Sequence, residues 1–381
     1  MTIYQDIVKS YRGWRKFEKR RFADNFVMTK GFFKFKNHKE ILDKFIELYG
    51  LLKIKSSQDE YIKAKLVASI YYLRHKFGEK IDYSEYVKNT IGVVPSLTPE
   101  KDIEKLSSEI SKKLLKIGVN YTKKDIEEKL IIKTLDKRFV TELKKKKTEL
   151  IKQAEKYLNI KLSEKVYIKL VNEEHWHYCI NIKRNSFALK INTNPEKVNH
   201  KRGALEYAIM HEICGHALQL SSWKKQIKSG KVSEVCGCEE DYGPEIFSLE
   251  GVGESIFYYV FENEIKGDLE IELMMDELDH IVQNNAYIMI NSGQKLDKVV
   301  KYYSERNILK DKKSIEKSLI QVCDDSFLRA NRYVYGSSLI FFKNAAKNLN
   351  PKQRQKFFRE LYLQPMTYNQ INAFYDKIKN Q

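Results

Sequence analysis

Apolar residues recur at intervals of three and four positions through most of the first 160 residues and again from Phe247 onward. Residues 39–52 and 59–78 show this spacing most clearly, and it is typical of amphipathic helices that bury one face. Glycine and proline are scarce, with sixteen and six residues respectively. Because both residue types interrupt helices, their scarcity strengthens the prediction of a mostly α-helical protein.

The period of the pattern changes between positions 160 and 195. Residues 166–171, 178–182 and 187–192 alternate or run apolar, which predicts a small antiparallel β-sheet. No internal repeat or low-complexity linker separates this segment from its neighbours. We therefore expect an N-terminal helical region over residues 1–160 and a second region over residues 161–381, with one continuous core.

The second region contains a pattern with chemical meaning, in which His211 and Glu212 are followed by His216 within an apolar helical run. Two imidazoles can hold a metal, and a carboxylate beside the first can activate water. The histidines are five residues apart, however, which on a regular α-helix separates their directions by about 140°. Gly215 or a single π-type bulge would let both face one metal. The sequence therefore predicts a local distortion between Glu212 and His216.

A third ligand is available on a second predicted helix, residues 248–260. Glu250 is followed by Gly251 and Gly253, and such small residues let two helix backbones approach closely. The Glu250 carboxylate would complete a site of two histidines and one glutamate, with a position left for water. Glu254 lies one turn further on. The pattern leaves open whether Glu254 binds the metal or orients a ligand from behind.

Two runs of sequence resemble a known family. The run HEICGHALQ, residues 211–219, resembles the HExxxH signature of the tyrosine carboxypeptidase family, and LEGVGESIFYYV, residues 249–260, resembles the helix that supplies its glutamate ligand. The chain is also similar to bacterial helical metallopeptidase-like proteins with an HExxPGH motif, but it is one residue shorter there and lacks the proline. The resemblance implies a zincin-like (gluzincin) metallopeptidase core wrapped by helices. It also implies Zn2+ as cofactor, held by His211, His216 and Glu250, with Glu212 as general base.

The same resemblance suggests further site residues. In these families a tyrosine before a glycine on a late helix occupies a similar place, which makes Tyr335 the candidate donor to an oxyanion and Arg332 a candidate partner for a substrate carboxylate. Alternatively, Tyr335 is a core residue, since the chain has 24 tyrosines. Such peptidases commonly hold an extended substrate at a sheet edge, and residues 187–194 are the expected edge strand.

Three other groups contain residue types that bind metals or orient ligands: His175 with His177, Cys236 with Cys238, and Asp276 with Asp279 and His280. The histidine pair would share one strand face, and a polar surface hairpin is the simpler interpretation. The cysteine pair lacks a second pair at zinc-ribbon spacing, so packing beside the cleft is favoured. In the third group an aspartate could orient a ligand histidine, or the helix could face solvent.

The net charge of the chain bears on which binding partners it favours. The formal net charge is +18, from 69 basic and 51 acidic side chains. This favours acidic partners such as nucleic acid, an anionic membrane surface or an acidic protein segment, or it reflects a general bias toward lysine. The charge balance is reversed in residues 232–254, which contain seven acidic residues and no lysine or arginine. A locally acidic segment is expected where carboxylates coordinate a cation.

Cysteine content and hydropathy indicate a cytoplasmic protein. Five cysteines do not suit a disulfide framework and fit a reducing compartment. No apolar stretch approaches the ~18 residues of a membrane-spanning helix, and the first residues lack the apolar run of a signal peptide.

Together these observations predict zinc-dependent hydrolysis of peptide bonds, with a metallocarboxypeptidase preferred from the resemblance. The substrate would be a peptide or protein, and an acidic tail would suit the basic surface. One alternative is an endopeptidase or aminopeptidase that uses the same residues. Another is a non-catalytic, zinc-containing basic protein that binds nucleic acid, which is disfavoured because Glu212 would then have no role. The oligomeric state is left open.

Overall fold

The computed structural model describes residues 2–19, 27–132, 137–174, 178–183, 185–194, 198 and 200–381. Helices account for most of this part of the chain, which confirms the prediction of a mostly α-helical protein. The described helices before the sheet are α1 (Ile3–Phe17), α2 (His38–Leu51), α3 (Ser57–Lys76), α4 (Tyr83–Ile91), α5 (Glu100–Lys116), α6 (Lys123–Leu130) and α7 (Lys137–Leu158).

Several of these helices begin where a short polar side chain can cap the first turn. The side chains of Asn37, Ser56 and Thr122 each accept a hydrogen bond from a backbone N–H three residues further on. Such a cap satisfies an N–H group that the helix leaves without a partner, and it contributes about 1 kcal/mol. The starts of α2, α3 and α6 are therefore determined by local sequence.

A three-stranded sheet follows, made of β1 (Lys165–Val171), β2 (Tyr178–Lys183) and β3 (Ser186–Asn192). The strand order is β1-β3-β2, so β3 is central. The pairing of β2 with β3 is antiparallel, and the pairing of β1 with β3 is parallel. The sheet is therefore mixed.

Two expectations about the sheet are wrong. An all-antiparallel sheet was expected, but β1 pairs in parallel because β2 lies on the far side of β3 instead of beside β1. Residues 187–194 were expected to form an open edge, but β3 is paired on both sides. In the described residues, β2 is the edge strand that contacts the helical segment containing His211.

The described residues after the sheet are mostly helical. They form α8 (Ala204–Ala208), a π-helix (Ile209–Ala217), α9 (Leu218–Lys228), α10 (Glu245–Tyr259), α11 (Gly267–Asn291), α12 (Leu296–Arg306), α13 (Lys312–Asp324), α14 (Ser326–Asn348), α15 (Pro351–Leu361) and α16 (Tyr368–Lys379). Short 3-10 turns occupy Glu234–Gly237 and Glu262–Glu264. The π-helix packs against α10, and α10 packs against α14.

One contiguous cluster of buried apolar side chains runs from Ile7 in α1 to Ile378 in α16. It therefore includes side chains on both sides of residue 160. The apolar faces that the spacing predicts for the helices point into this core. None of the described helices is long and apolar enough to cross a bilayer.

Two buried ion pairs join the N-terminal helices to the segment that leads into α10. Arg15 of α1 pairs with Glu240 at 3.1 Å, and Lys65 of α3 pairs with Glu245, the first residue of α10. All four side chains are at most 6% exposed. Because α10 carries Glu250, these pairs hold one of the candidate ligands in place from the N-terminal region.

Candidate metal centre

His211, Glu212 and His216 all lie in the π-helix Ile209–Ala217, which continues α8 and leads into α9. In a π-helix, hydrogen bonds join residue i to residue i+5, so residues five apart project in similar directions. The distortion predicted from the five-residue spacing is therefore confirmed. It brings both imidazoles to the side of the helix that faces α10.

The two imidazoles converge with Glu250 on one point. The Nε2 atoms of His211 and His216 are 3.0 Å apart, and their ring planes are nearly perpendicular at 87°. Glu250 Oε2 lies 3.8 Å from the first of these nitrogens and 3.6 Å from the second. All three residues are buried, with exposures of 6 to 8%. The three ligand types predicted from the sequence thus meet in space.

These atoms suit a zinc ion. Ligands about 2.0–2.1 Å from a tetrahedral zinc are about 3.3 Å from one another, and the observed separations of 3.0 to 3.8 Å fall around that value. Among the described residues, the buried Glu250 Oε2 has no hydrogen-bond partner. An orphaned carboxylate oxygen beside two imidazole nitrogens would fit a cation at their common point. The set of two histidines and one glutamate is typical of catalytic zinc sites.

Two glycines permit this geometry by letting α10 approach the π-helix closely. A Cβ atom on Gly215 would lie 2.9 Å from the Gly253 Cα atom. A Cβ atom on Gly253 would lie 2.8 Å from His211 Cε1 and 3.0 Å from His216 Cε1. Real Cβ atoms essentially never come within 3.0 Å of such neighbours, so both positions require glycine.

Glu212 lies beside this point on the sheet side. Glu212 is 8% exposed and lies near the backbone of Ile180 in β2. Burial raises the pKa of Glu212 to about 7, against the opposing effect of His216. The carboxyl group can therefore exchange a proton near neutral pH.

Electrostatics differ between the two imidazoles. Burial lowers the pKa of His211 to about 3, which favours the neutral, metal-binding form. Burial also opposes protonation of His216, but the adjacent Glu250 carboxylate outweighs it and raises the pKa to about 9. Although burial favours the neutral acid at Glu250, the nearby His216 keeps its pKa below the usual value.

A second group of polar side chains lies behind His211, and we call it the rear cluster: Tyr207, Glu254, Asp276 and His280. Glu254 Oε1 is 3.5 Å from Nδ1 of His211, the ring nitrogen opposite Nε2. The Tyr207 hydroxyl is 3.3 Å from the same Nδ1 and 3.0 Å from both Glu254 Oε2 and Asp276 Oδ2. Glu254 therefore contacts the back of a candidate ligand, while Glu250 faces the convergence point.

The rear cluster contains a residue that the sequence reasoning missed. Tyr207 precedes His211 by four positions, and this spacing on one helix face was the available signal. Asp276 contacts the cluster, whereas Asp279 accepts hydrogen bonds from Tyr303, Asn307 and Lys310. The two aspartates on α11 thus lie in different environments.

Tyr335 lies on α14 beside the same site. It lies near the Glu250 carboxylate, and its ring stacks on His280 with centroids 5.5 Å apart. Burial raises the pKa of Tyr335 well above its usual value, so the phenol keeps its proton and can donate. Arg332 is exposed on the preceding turn of α14.

Two candidate pairs lie elsewhere. His175 and His177 fall outside the described residues. Cys236 and Cys238 are buried cysteines in and after the 3-10 turn before α10. Burial raises the pKa of Cys236 well above its usual value, which keeps the thiol protonated and inert.

Comparison with known proteins gives a likeness of fold. The chain matches no family model and no curated protein. It is similar to the crystal structure of a lipoprotein candidate from Colwellia psychrerythraea, with a TM-score of 0.62 and 12% identity over 90% of this chain and 67% of that one. It is also similar to a lipoprotein candidate of unknown function from Shewanella oneidensis, with a TM-score of 0.49 and 15% identity over 90% and 71% of the two chains. The overall fold is therefore shared with the first structure despite little sequence identity.

Proposed function

We propose that the protein is a zinc-dependent hydrolase of peptide bonds, of the HExxxH gluzincin type and acting as a carboxypeptidase. One observation carries this proposal: Nε2 atoms of His211 and His216 and the Glu250 carboxylate converge, with the Glu212 carboxyl group beside them. A purely structural zinc site would have four protein ligands, whereas the described residues supply three at this point.

Each side chain has a role in this proposal. A bound zinc ion would supply Lewis-acid activation of water and of the scissile carbonyl group. Glu212 takes the proton of the attacking water and passes it to the leaving amine. Tyr335 donates a hydrogen bond to the oxygen on which negative charge develops. Glu254 and Tyr207 hold the His211 ring so that Nε2 faces the site.

Cleavage from the C-terminal end of the substrate is supported by the family resemblance and by Arg332. The exposed guanidinium of Arg332 could bind the terminal carboxylate of a substrate near Tyr335. A library of peptides with free and with amidated C-termini tests this. We expect removal of C-terminal residues from the free peptides and no cleavage of the amidated ones. Cleavage of amidated peptides at internal bonds would overturn the carboxypeptidase assignment and leave an endopeptidase.

Glu250→Ala is expected to lower bound zinc at least tenfold, because only the two imidazoles would remain as protein ligands. Elemental analysis after dialysis against zinc-free buffer measures this. The matched control is Glu262→Ala, which removes an exposed carboxylate that pairs with Arg354 beyond the end of α10. Full zinc occupancy in the Glu250 variant would transfer the ligand role to another residue, with Glu254 the first to examine.

Gly253→Ala is expected to reduce zinc binding about as much as loss of a ligand, because the added methyl group would press on both imidazole rings. Gly50→Ala in α2 is the control, since nothing lies within 4 Å of its new Cβ atom. Replacing glycine by alanine in a helix should stabilise that control by roughly 0.5–1 kcal/mol. Normal zinc affinity in a folded Gly253→Ala protein would contradict the close approach described above.

A further inference from the structure

The rear cluster brings four donor atoms close together on the far side of His211. Tyr207 Oη lies 3.0 Å from Glu254 Oε2 and 3.0 Å from Asp276 Oδ2. His280 Nε2 lies 3.2 Å from the same Asp276 oxygen and 3.6 Å from the same Glu254 oxygen. These four separations match the ~3.3 Å expected between ligands of a tetrahedral first-row metal ion.

Hydrogen bonding within the protein satisfies this group only in part. Tyr207 has one hydroxyl proton, yet its oxygen lies at hydrogen-bonding distance from two carboxylates. Both ring nitrogens of His280 are buried and, among the described residues, have no hydrogen-bond partner. Glu254 is only 3% exposed at its side chain, so its charge requires a nearby cation, either a bound ion or a protonated His280 at 3.6 Å.

A cavity borders one residue of the cluster. A cavity of about 290 Å3 is bounded by Asp276, one of the four donors, together with Lys201, Met275 and Lys310. Lys201 pairs with Glu272 at 2.7 Å, and Lys310 bonds to Asp279, so both ammonium groups are neutralised by other carboxylates. The ion pair that Asp276 does make is with His280, which is itself one of the four donors.

We propose that the rear cluster is a second metal site, which binds a divalent first-row ion through Tyr207, Glu254, Asp276 and His280. Three oxygen donors and one imidazole suit Zn2+ or Mn2+ better than a thiol-preferring ion. The site is distinct from the one formed by the two Nε2 atoms and Glu250, and its existence does not depend on peptide hydrolysis. An ion there would hold Tyr207 in place beside Nδ1 of His211 and so link the two sites.

Metal stoichiometry tests the proposal. The protein is stripped with a chelator, reloaded separately with Zn2+ and with Mn2+, freed of excess metal by gel filtration, and analysed for metal per chain. We expect two ions per chain with at least one of the two metals. His216→Ala should reduce this to one by emptying the first site, and His280→Gln should reduce it to one by emptying the second.

Controls separate the possible outcomes. Glu270→Gln removes a half-exposed carboxylate from the same helix, where it pairs with Lys113, and should leave two ions. If His280→Gln does not fold, Asp276→Asn takes its place. The number of metal ions per wild-type chain tests the proposal whether or not either variant folds. A contrary outcome is one ion in the wild type that is lost in His216→Ala and kept in His280→Gln. It would overturn the second site and leave the proposed hydrolase intact. The cation that neutralises the rear cluster would then be a protonated His280. An ion lost only in His280→Gln would support the rear site and remove the basis of the hydrolase.

Discussion

Glu212→Gln is expected to reduce peptide hydrolysis by roughly 10²- to 10⁴-fold, because the amide cannot accept the proton of the attacking water. Bound zinc should remain unchanged, since Glu212 lies beside the convergence point of His211, His216 and Glu250 and is not one of the three ligands. Turnover of a fluorogenic peptide measures the first quantity, and elemental analysis of the same sample measures the second. The combination of retained metal and lost activity separates a proton acceptor from a ligand.

Glu206→Gln is the matched control, because it makes the same chemical change on the adjoining helix α8 at a half-exposed position. We expect its activity to remain within about twofold of the wild type. Wild-type turnover in Glu212→Gln would refute the role of Glu212 as general base. Loss of zinc in that variant would instead show that Glu212 takes part in holding the metal.

Lys65→Met is expected to destabilise the protein by about 3–5 kcal/mol, because it leaves the Glu245 carboxylate buried without its cation. Both side chains of the pair are only 1% exposed, so water cannot replace the lost ammonium group. Glu245 also accepts hydrogen bonds from Tyr61 Oη and from the backbone N–H of Glu240, which hold the carboxylate in place. Denaturant-induced unfolding followed by circular dichroism measures the change in the free energy of unfolding.

Lys124→Met is the control for that variant. Its partner Glu128 is 4.0 Å away, and the two side chains are 83% and 57% exposed. We expect a change of no more than about 0.5 kcal/mol. The double variant with Lys65→Met and Glu245→Leu should recover much of the loss, since it removes the unpaired charge. A cost below about 1 kcal/mol for Lys65→Met alone would contradict the buried ion pair.

Local patterns predicted the helices because their causes are local. The three- and four-residue spacing of apolar side chains identifies the buried face of α2 and α3, and capping residues such as Asn37 and Ser56 define where these helices begin. The five-residue interval between His211 and His216 required a wider helical turn, and the π-helix provides it. In each case the residues that determine the local structure lie within a few positions of one another in the sequence.

Strand order is different, because it depends on pairs that no local pattern specifies. The alternation in residues 166–171 indicates a strand but contains no information about its neighbour or its direction. Only the folded chain places β2 beyond β3 and thereby makes β1 parallel and β3 central. The expected substrate-binding edge was wrong for this reason.

The sequence by itself predicted the helical class, the candidate ligands His211, His216 and Glu250, and the need for a distorted helix. Only the tertiary structure decided that Glu254 faces Nδ1 of His211 and that Tyr207 meets Asp276, 69 positions away in the chain. The physical reason is that side-chain spacing determines which residues share a face of one helix. The closeness of α10 and α11 to that face depends on packing across the whole core.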